Sequence, residues 1–247
     1  MAYAPREHTR ARIRSALVRV HRRGVLARTE RDFAIAFRTQ FVNTALVEIT
    51  ADDDGHGAAE LAREYPSVPF LGLTPFRPVD APAIARCAEL DFADVLADGA
   101  DDGVLGYALL AHGFSTRFAA ALHTPPEPLA LSSPLQLAAW RAIVAHAGQP
   151  VGSLEIARAL GVTREHLSRS FSAGGAPTLK RAMDFVRLLA AGELAKNPGY
   201  DVRAVARLTG FGSAGKLSLV VRRLVRAPAS ALSALRSTDL LERFLRG

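Results

Sequence analysis

The chain has 247 residues, 49% of them hydrophobic, which is ample for one or two ordinary cores. A single cysteine, Cys87, excludes an intrachain disulfide framework and a cysteine-based zinc site. The net charge of +7 divides unevenly: residues 1–130 carry 14 Lys and Arg against 17 Asp and Glu, and residues 131–247 carry 17 against 7, so the second half is the one that attracts a polyanion.

In chain order, the segment MAYAPREHTRARIRSALVRVHRRG has no signal-peptide apolar core. Ile13, Leu17 and Val20 share one helical face, which predicts a basic helix packed on its own domain. No run of about eighteen apolar residues follows anywhere, so no membrane partner is expected and a cytoplasmic location is. From Gly24 to about Ala111, short apolar runs alternate with helical stretches: VLAR, RDFAIAFRTQ, ALVEIT, GAAELARE, VPFLGLT, APAIARCAEL, FADVLA and DGVLGYALLA. Such alternation implies an α/β domain with a parallel sheet. This rhythm resembles the receiver domain of two-component response regulators, of flavodoxin-like fold, beginning at its second strand. The first strand is expected to be absent, its place taken by the basic helix.

The resemblance implies a definite inventory of residues. A working receiver needs an acidic pair after its first strand to hold Mg²⁺, an Asp nucleophile after its third strand and a Lys after its fifth. Here the acidic pair has no counterpart. Thr50 falls at the acceptor position, Asp98 stands where a receiver carries Lys, and Thr74 alone matches, at the hydroxyl position. Asp52, Asp53 and Asp54 are rival acceptors or metal ligands, but adjacent side chains diverge and a solvated loop beside Gly55 explains them as well. A degenerate, non-phosphorylated receiver is therefore expected, serving regulation or dimerisation.

No Walker loop, GxGxxG, HExxH or GxSxG motif occurs, and His56, His112, His123, His146 and His166 are scattered. Neither an enzyme, a catalytic cofactor nor a bound metal is expected. The Pro- and Ser-rich stretch 123–134 reads as a linker between an α/β domain at 1–122 and a helical domain at 135–247. Ser133 caps and Pro134 opens a helix that carries Trp140 into the core.

The last hundred residues hold two copies of one pattern. In the first, Leu154 to Phe171, IARAL supplies an apolar face, Gly161 makes a turn and Thr163 caps TREHLSRSF. In the second, Val202 to Val221, VRAVARL is followed by a turn at Thr209 to Phe211 and a helix from Ser213 that buries Leu217 and Val221. Between them Thr178 to Ala195 reads as one connecting helix. These are two helix-turn-helix motifs joined by a long helix. With LSRSF at Leu167 to Phe171, Arg187 and Leu188, the Gly210-Phe211 pair and Pro228, the segment from Leu135 to Leu235 resembles the DNA-binding domain of the AraC/XylS family of transcription regulators.

The resemblance implies that the chain reads double-stranded DNA. In the first copy Leu167 and Phe171 face inward, leaving Thr163, Arg164, Glu165, Ser168 and Arg169 toward the groove, and the family places Glu165, Ser168 and Arg169 at base edges. In the second copy the corresponding outward positions are Ala214, Gly215, Lys216 and Ser218, with Ser213 before them and Leu219 where the family usually has Arg. Arg222 and Arg223 follow and suit phosphates better than bases. Near Arg226 the chain departs from the family, lacking the Gly that precedes the final Pro. The expectation is a transcription regulator whose first copy specifies sequence and whose second anchors charge. A homodimer and RNA polymerase are the further partners that this expectation leaves open. Rival readings are a phosphorelay response regulator and an interaction protein that acts on RNA polymerase or another regulator with weak DNA binding.

Overall fold

A computed structural model describes residues 1–51 and 55–246, so Asp52, Asp53 and Asp54 lie outside the described residues. The chain divides into two compact units, Met1–Phe114 and Ser115–Gly247.

The first unit is a five-stranded, wholly parallel sheet. Its strands are β1 (Ala2–Tyr3), β2 (Leu26–Ala27), β3 (Ala45–Glu48), β4 (Phe70–Thr74) and β5 (Asp94–Ala97), laid in the order β2-β1-β3-β4-β5. Helices α1 (Glu7–Arg19), α2 (Glu30–Thr39), α3 (His56–Glu64) and α4 (Ala81–Glu89) make the crossovers, and α5 (Asp102–Ala111) follows β5. This is the doubly wound order of flavodoxin and CheY. A parallel sheet buries both faces, and β3 and β4 accordingly have no exposed residue.

The expected loss of the first strand is overturned. Ala2 and Tyr3 pair in parallel with Leu26 and Ala27 on one side and with Leu46 and Val47 on the other. Two paired residues are too short a run to register as an apolar strand in sequence, yet Ala2, Tyr3 and Ala4 are all buried. The basic helix replaces nothing; as α1 it is the crossover from β1 to β2. It packs against α5 over Ile13, Ala16, Leu105 and Leu109. Gly106 permits the approach, since a Cβ there would lie 2.6 Å from the Ala16 carbonyl oxygen. Aromatic residues fill the opposite layer, where Phe37 stacks on Phe70 at 5.4 Å and lies 4.6 Å from Tyr65 between ring centroids.

The second unit is helical: α6 (Phe114–Ala121), α7 (Pro134–Val144), α8 (Ser153–Ala159), α9 (Arg164–Phe171), α10 (Leu179–Ala195), α11 (Val202–Leu208), α12 (Ala214–Val225) and α13 (Ser237–Arg246). α7 opens with a capping box in which Ser133 and Gln136 bond each other's backbone N–H groups, and it buries Trp140. The indole N–H donates to the Leu122 carbonyl at 2.7 Å. Leu129 and Leu131 of the Pro-rich stretch are buried as well. The central helix is α10, whose 17 residues rise about 26 Å. Eleven of its residues are buried, and Phe185 stacks on Phe244 of α13 at 4.2 Å.

Candidate functional site

Two places in the chain gather chemistry-bearing residues, one in each unit.

In the helical unit, α8 with α9 and α11 with α12 form two helix pairs built by the same backbone bonds. After α8, Gly161 N donates to Arg158 O (3.1 Å) and Val162 N to Ala157 O (3.0 Å). After α11, Gly210 N donates to Arg207 O (3.0 Å) and Phe211 N to Ala206 O (2.8 Å). This paired pattern ends a helix through a left-handed residue, and both glycines adopt it, with φ of +67° and +69°. The next helix is then capped by a hydroxyl. Thr163 accepts from His166 N (3.1 Å) and Ser213 from Lys216 N (3.2 Å). The second turn is one residue longer, the extra residue being Gly212 at φ +78°.

Core side chains hold the end of the first pair and the turn of the second. The Gln136 amide donates to Phe171 O and Ala173 O at the end of α9 (2.9 and 3.1 Å). Arg187 of α10 donates through Nε to Thr209 O (2.6 Å) and lays its guanidinium 4.0 Å over the Phe211 ring. Burial lowers the Arg187 pKa from its ordinary value, with Asp184 opposing. At Gly210 a Cβ would collide with the Pro150 ring.

The outward faces of the two pairs differ. On α9, Leu167 and Phe171 are wholly buried, while Arg164, Glu165, Ser168 and Arg169 are exposed, as is Thr163 before them. Among the described residues, the Arg164 and Arg169 guanidinium groups enter no ion pair or hydrogen bond with the chain. On α12, Leu217 and Val221 are buried, Ser218 is half-buried, and Gly215, Lys216, Leu219 and Arg222 are exposed, with Ser213 before them. The position of Arg169 is taken by Leu219, which is 68% exposed. Arg223 is exposed but reaches back to Asp184 at 2.7 Å, so its guanidinium is oriented by α10.

In the sheet unit, charge gathers where β1, β3 and β5 end. The strand order reverses between β1 and β3, and in doubly wound sheets the crevice beyond the strand ends at that reversal is where ligands bind. Here Arg6 follows β1, Glu48 ends β3 and Asp98 follows β5. Arg6 donates through Nε to the Glu48 carboxylate and through Nη2 to Asp98 at 3.3 Å. Arg12 of α1 pairs with Asp98 and donates to Ala100 O at 2.6 Å. Thr9 gives its hydroxyl to Glu48, and Arg10, itself buried, donates to the Ala4 and Pro5 carbonyls at 2.6 Å each. Two arginines thus face two carboxylates, and Glu48, 2% exposed, has its charge matched.

Sequence reasoning places Asp98 here but misses Glu48 and Arg6. The signal is a charged residue inside the apolar run ALVEIT, which a soluble sheet buries only with a partner. Thr50 lies two residues past β3 and is buried, and Thr74 at the end of β4 is fully buried. The oxygen and nitrogen ligand atoms of His8, Glu48 and Asp98 come within 4.8 Å of one another, but Arg6 and Arg12 together already match the charge of the two carboxylates. Cys87 is buried, which pushes its thiol up to about 11 and keeps it protonated.

No helix among the described residues is long and apolar enough to cross a membrane. No family model matches the chain, and no curated protein matches it. Among solved structures, full-length FixJ from B. japonicum is similar at 13% identity and a TM-score of 0.37, over 85% of this chain and 95% of that chain.

Proposed function

We propose that the chain is a sequence-specific DNA-binding transcription regulator. In this reading the two helix pairs are helix-turn-helix units of the AraC/XylS kind, α9 and α12 enter successive major grooves, and α10 sets their separation. The observation that supports it best is the repeated turn and cap of the two pairs together with the uncommitted Arg164 and Arg169 on the first. Arg bonds guanine O6 and N7 in bidentate fashion, and Glu165 accepts from cytosine N4. The net charge of +10 over residues 131–247 supplies the sequence-independent attraction.

The two units read unequally. α9 specifies bases through Arg164, Glu165, Ser168 and Arg169, assisted by Thr163. α12 anchors phosphates through Ser213, Lys216, Ser218, Arg222 and Arg223, because its groove-facing residues include Gly215 and Leu219, which offer no base contact of the bidentate kind. The sheet unit is a regulatory or dimerisation module that does not take up phosphate. Its strand-end carboxylates are neutralised by Arg6 and Arg12, and among the described residues no lysine faces them after β5. Neither unit is an enzyme. Selection of bound sequences from random DNA by the full chain tests the reading: a recovered motif supports it, and salt-dependent binding without a motif opposes it.

A further inference from the structure

At the end of the sheet opposite the charge cluster lies a cavity of about 150 Å³. Its floor is mainly apolar, formed by Ile13, Leu17, Leu26, Leu46 and Leu109, and the lining also takes in Asn43 and Met1, whose buried ammonium is spent on the Thr44 carbonyl at 2.7 Å. The Thr44 hydroxyl beside it is already spent on the Leu109 carbonyl at 3.0 Å. At its rim stand Arg22 and Arg23, both exposed, and among the described residues neither guanidinium makes a hydrogen bond or an ion pair.

The two arginines are presented by a defined turn. α1 ends with His21 N donating to Val18 O (3.0 Å) and Arg22 N to Leu17 O (2.8 Å), and His21 takes the left-handed conformation at φ +53°. Arg22 is therefore fixed one turn above Leu17, a floor residue. Gly24 completes the rim where a Cβ would press on Leu17 Cδ1 at 2.7 Å.

An apolar hollow with unmatched positive charge at one end selects a molecule with an apolar body and one negative head. We infer that this cavity binds a small apolar monocarboxylate, its hydrocarbon part on Leu17, Leu46 and Leu109 and its carboxylate on Arg22 and Arg23. The volume sets the size, because a cavity of this order lined by Leu and Ile holds a molecule about as large as benzene, so the body has about six carbons. Arg is suited to the head because its planar fork bonds a carboxylate bidentately. The inference rests on the reading of the sheet unit as a regulatory module that does not take up phosphate, and it names what such a module senses.

Calorimetric titration of the full chain with hexanoate tests it, with hexan-1-ol as the uncharged control and neither DNA nor a phosphoryl donor present. Saturable one-to-one binding is expected, weakened about tenfold or more in the R22A/R23A double variant. Both side chains are exposed, so the fold is retained, and an unchanged melting temperature verifies it. Val25→Trp, at the same rim, fills the opening and is expected to abolish binding with both arginines in place. No saturable heat from hexanoate, equal affinity in R22A/R23A, or hexan-1-ol binding as tightly as hexanoate would each overturn the inference. Failure here leaves the DNA reading untouched, and phosphoryl uptake, measured separately, is what overturns the module's non-phosphorylated character.

Discussion

Arg6 lies directly against Glu48, its Nε donating to a carboxylate that is 2% exposed at the end of β3. The same guanidinium reaches Asp98, so one cation from the β1–α1 connection ties the ends of β3 and β5 together. The receiver resemblance implies carboxylates after the first strand and a cation after the fifth. The structure has the cation after the first and a carboxylate after the fifth.

Removing that cation leaves a buried charge uncompensated. Arg6→Ala is expected to destabilise the sheet unit by about 2 kcal/mol, short of the 3–5 kcal/mol of a fully buried pair because the Arg6 side chain is 38% exposed. Glu48→Gln, which keeps an acceptor for Thr9 and Arg6, is expected to cost less. Urea unfolding checks both, and an Arg6→Ala variant as stable as the parent would show that Glu48 does not depend on the pair.

Incubation with acetyl phosphate and Mg²⁺ is expected to leave the mass of the chain and its DNA affinity unchanged. Mass spectrometry reads the first and a binding isotherm the second. An aspartyl adduct, at Asp52, Asp53, Asp54 or Asp98, that altered DNA binding would make the chain a phosphorelay component.

The two helix pairs are expected to respond differently to truncation. Arg169→Ala should weaken a selected site by roughly 1–3 kcal/mol and relax preference at one base pair. Lys216→Ala and Arg222→Ala should weaken selected and scrambled DNA alike, each lowering the salt slope by about 1. Equal loss on scrambled DNA for Arg169→Ala would reduce it to a phosphate contact.

Asp80 supplies a pH dependence. Hydrogen bonds from the Arg77 side chain hold its carboxyl down at about 2 against the effect of burial, aided by the backbone N–H groups of Arg77 and Ala51. A carboxyl that titrates lower when folded than when unfolded contributes stability above the unfolded value of about 4, and loses it as pH falls from about 4 to about 2. Asp80→Asn should therefore melt at a lower temperature at pH 7, with the gap to the parent closing toward pH 2. Melting curves that stay equally separated across that range would remove Asp80 from the acid response.

What could be read from the sequence followed the length of the signal. β3, β4 and the helices between them announce themselves as apolar runs and amphipathic stretches. The strand at Ala2–Tyr3 does not, because two residues carry no periodicity and only their neighbours on both sides make them a strand. Among the charged groups, Asp98 was identifiable from its place after an apolar run. Glu48 carries only the weak mark of a charge inside the apolar run ALVEIT, and its partner shows itself only when the arginine 42 residues away is brought against it. The cavity above Leu17 was equally hidden, being assembled from α1, β1, β2, β3 and α5.

In the proposed reading α9 reads sequence while α12 holds the backbone. Selection of bound DNA from a random pool by the full chain, followed by footprinting of the recovered site, tests it most directly. A motif concentrated in one major groove is expected, with a second protected groove about 34 Å away that shows little base preference. No recoverable motif, or a stronger preference in the groove that Arg222→Ala releases, would contradict it.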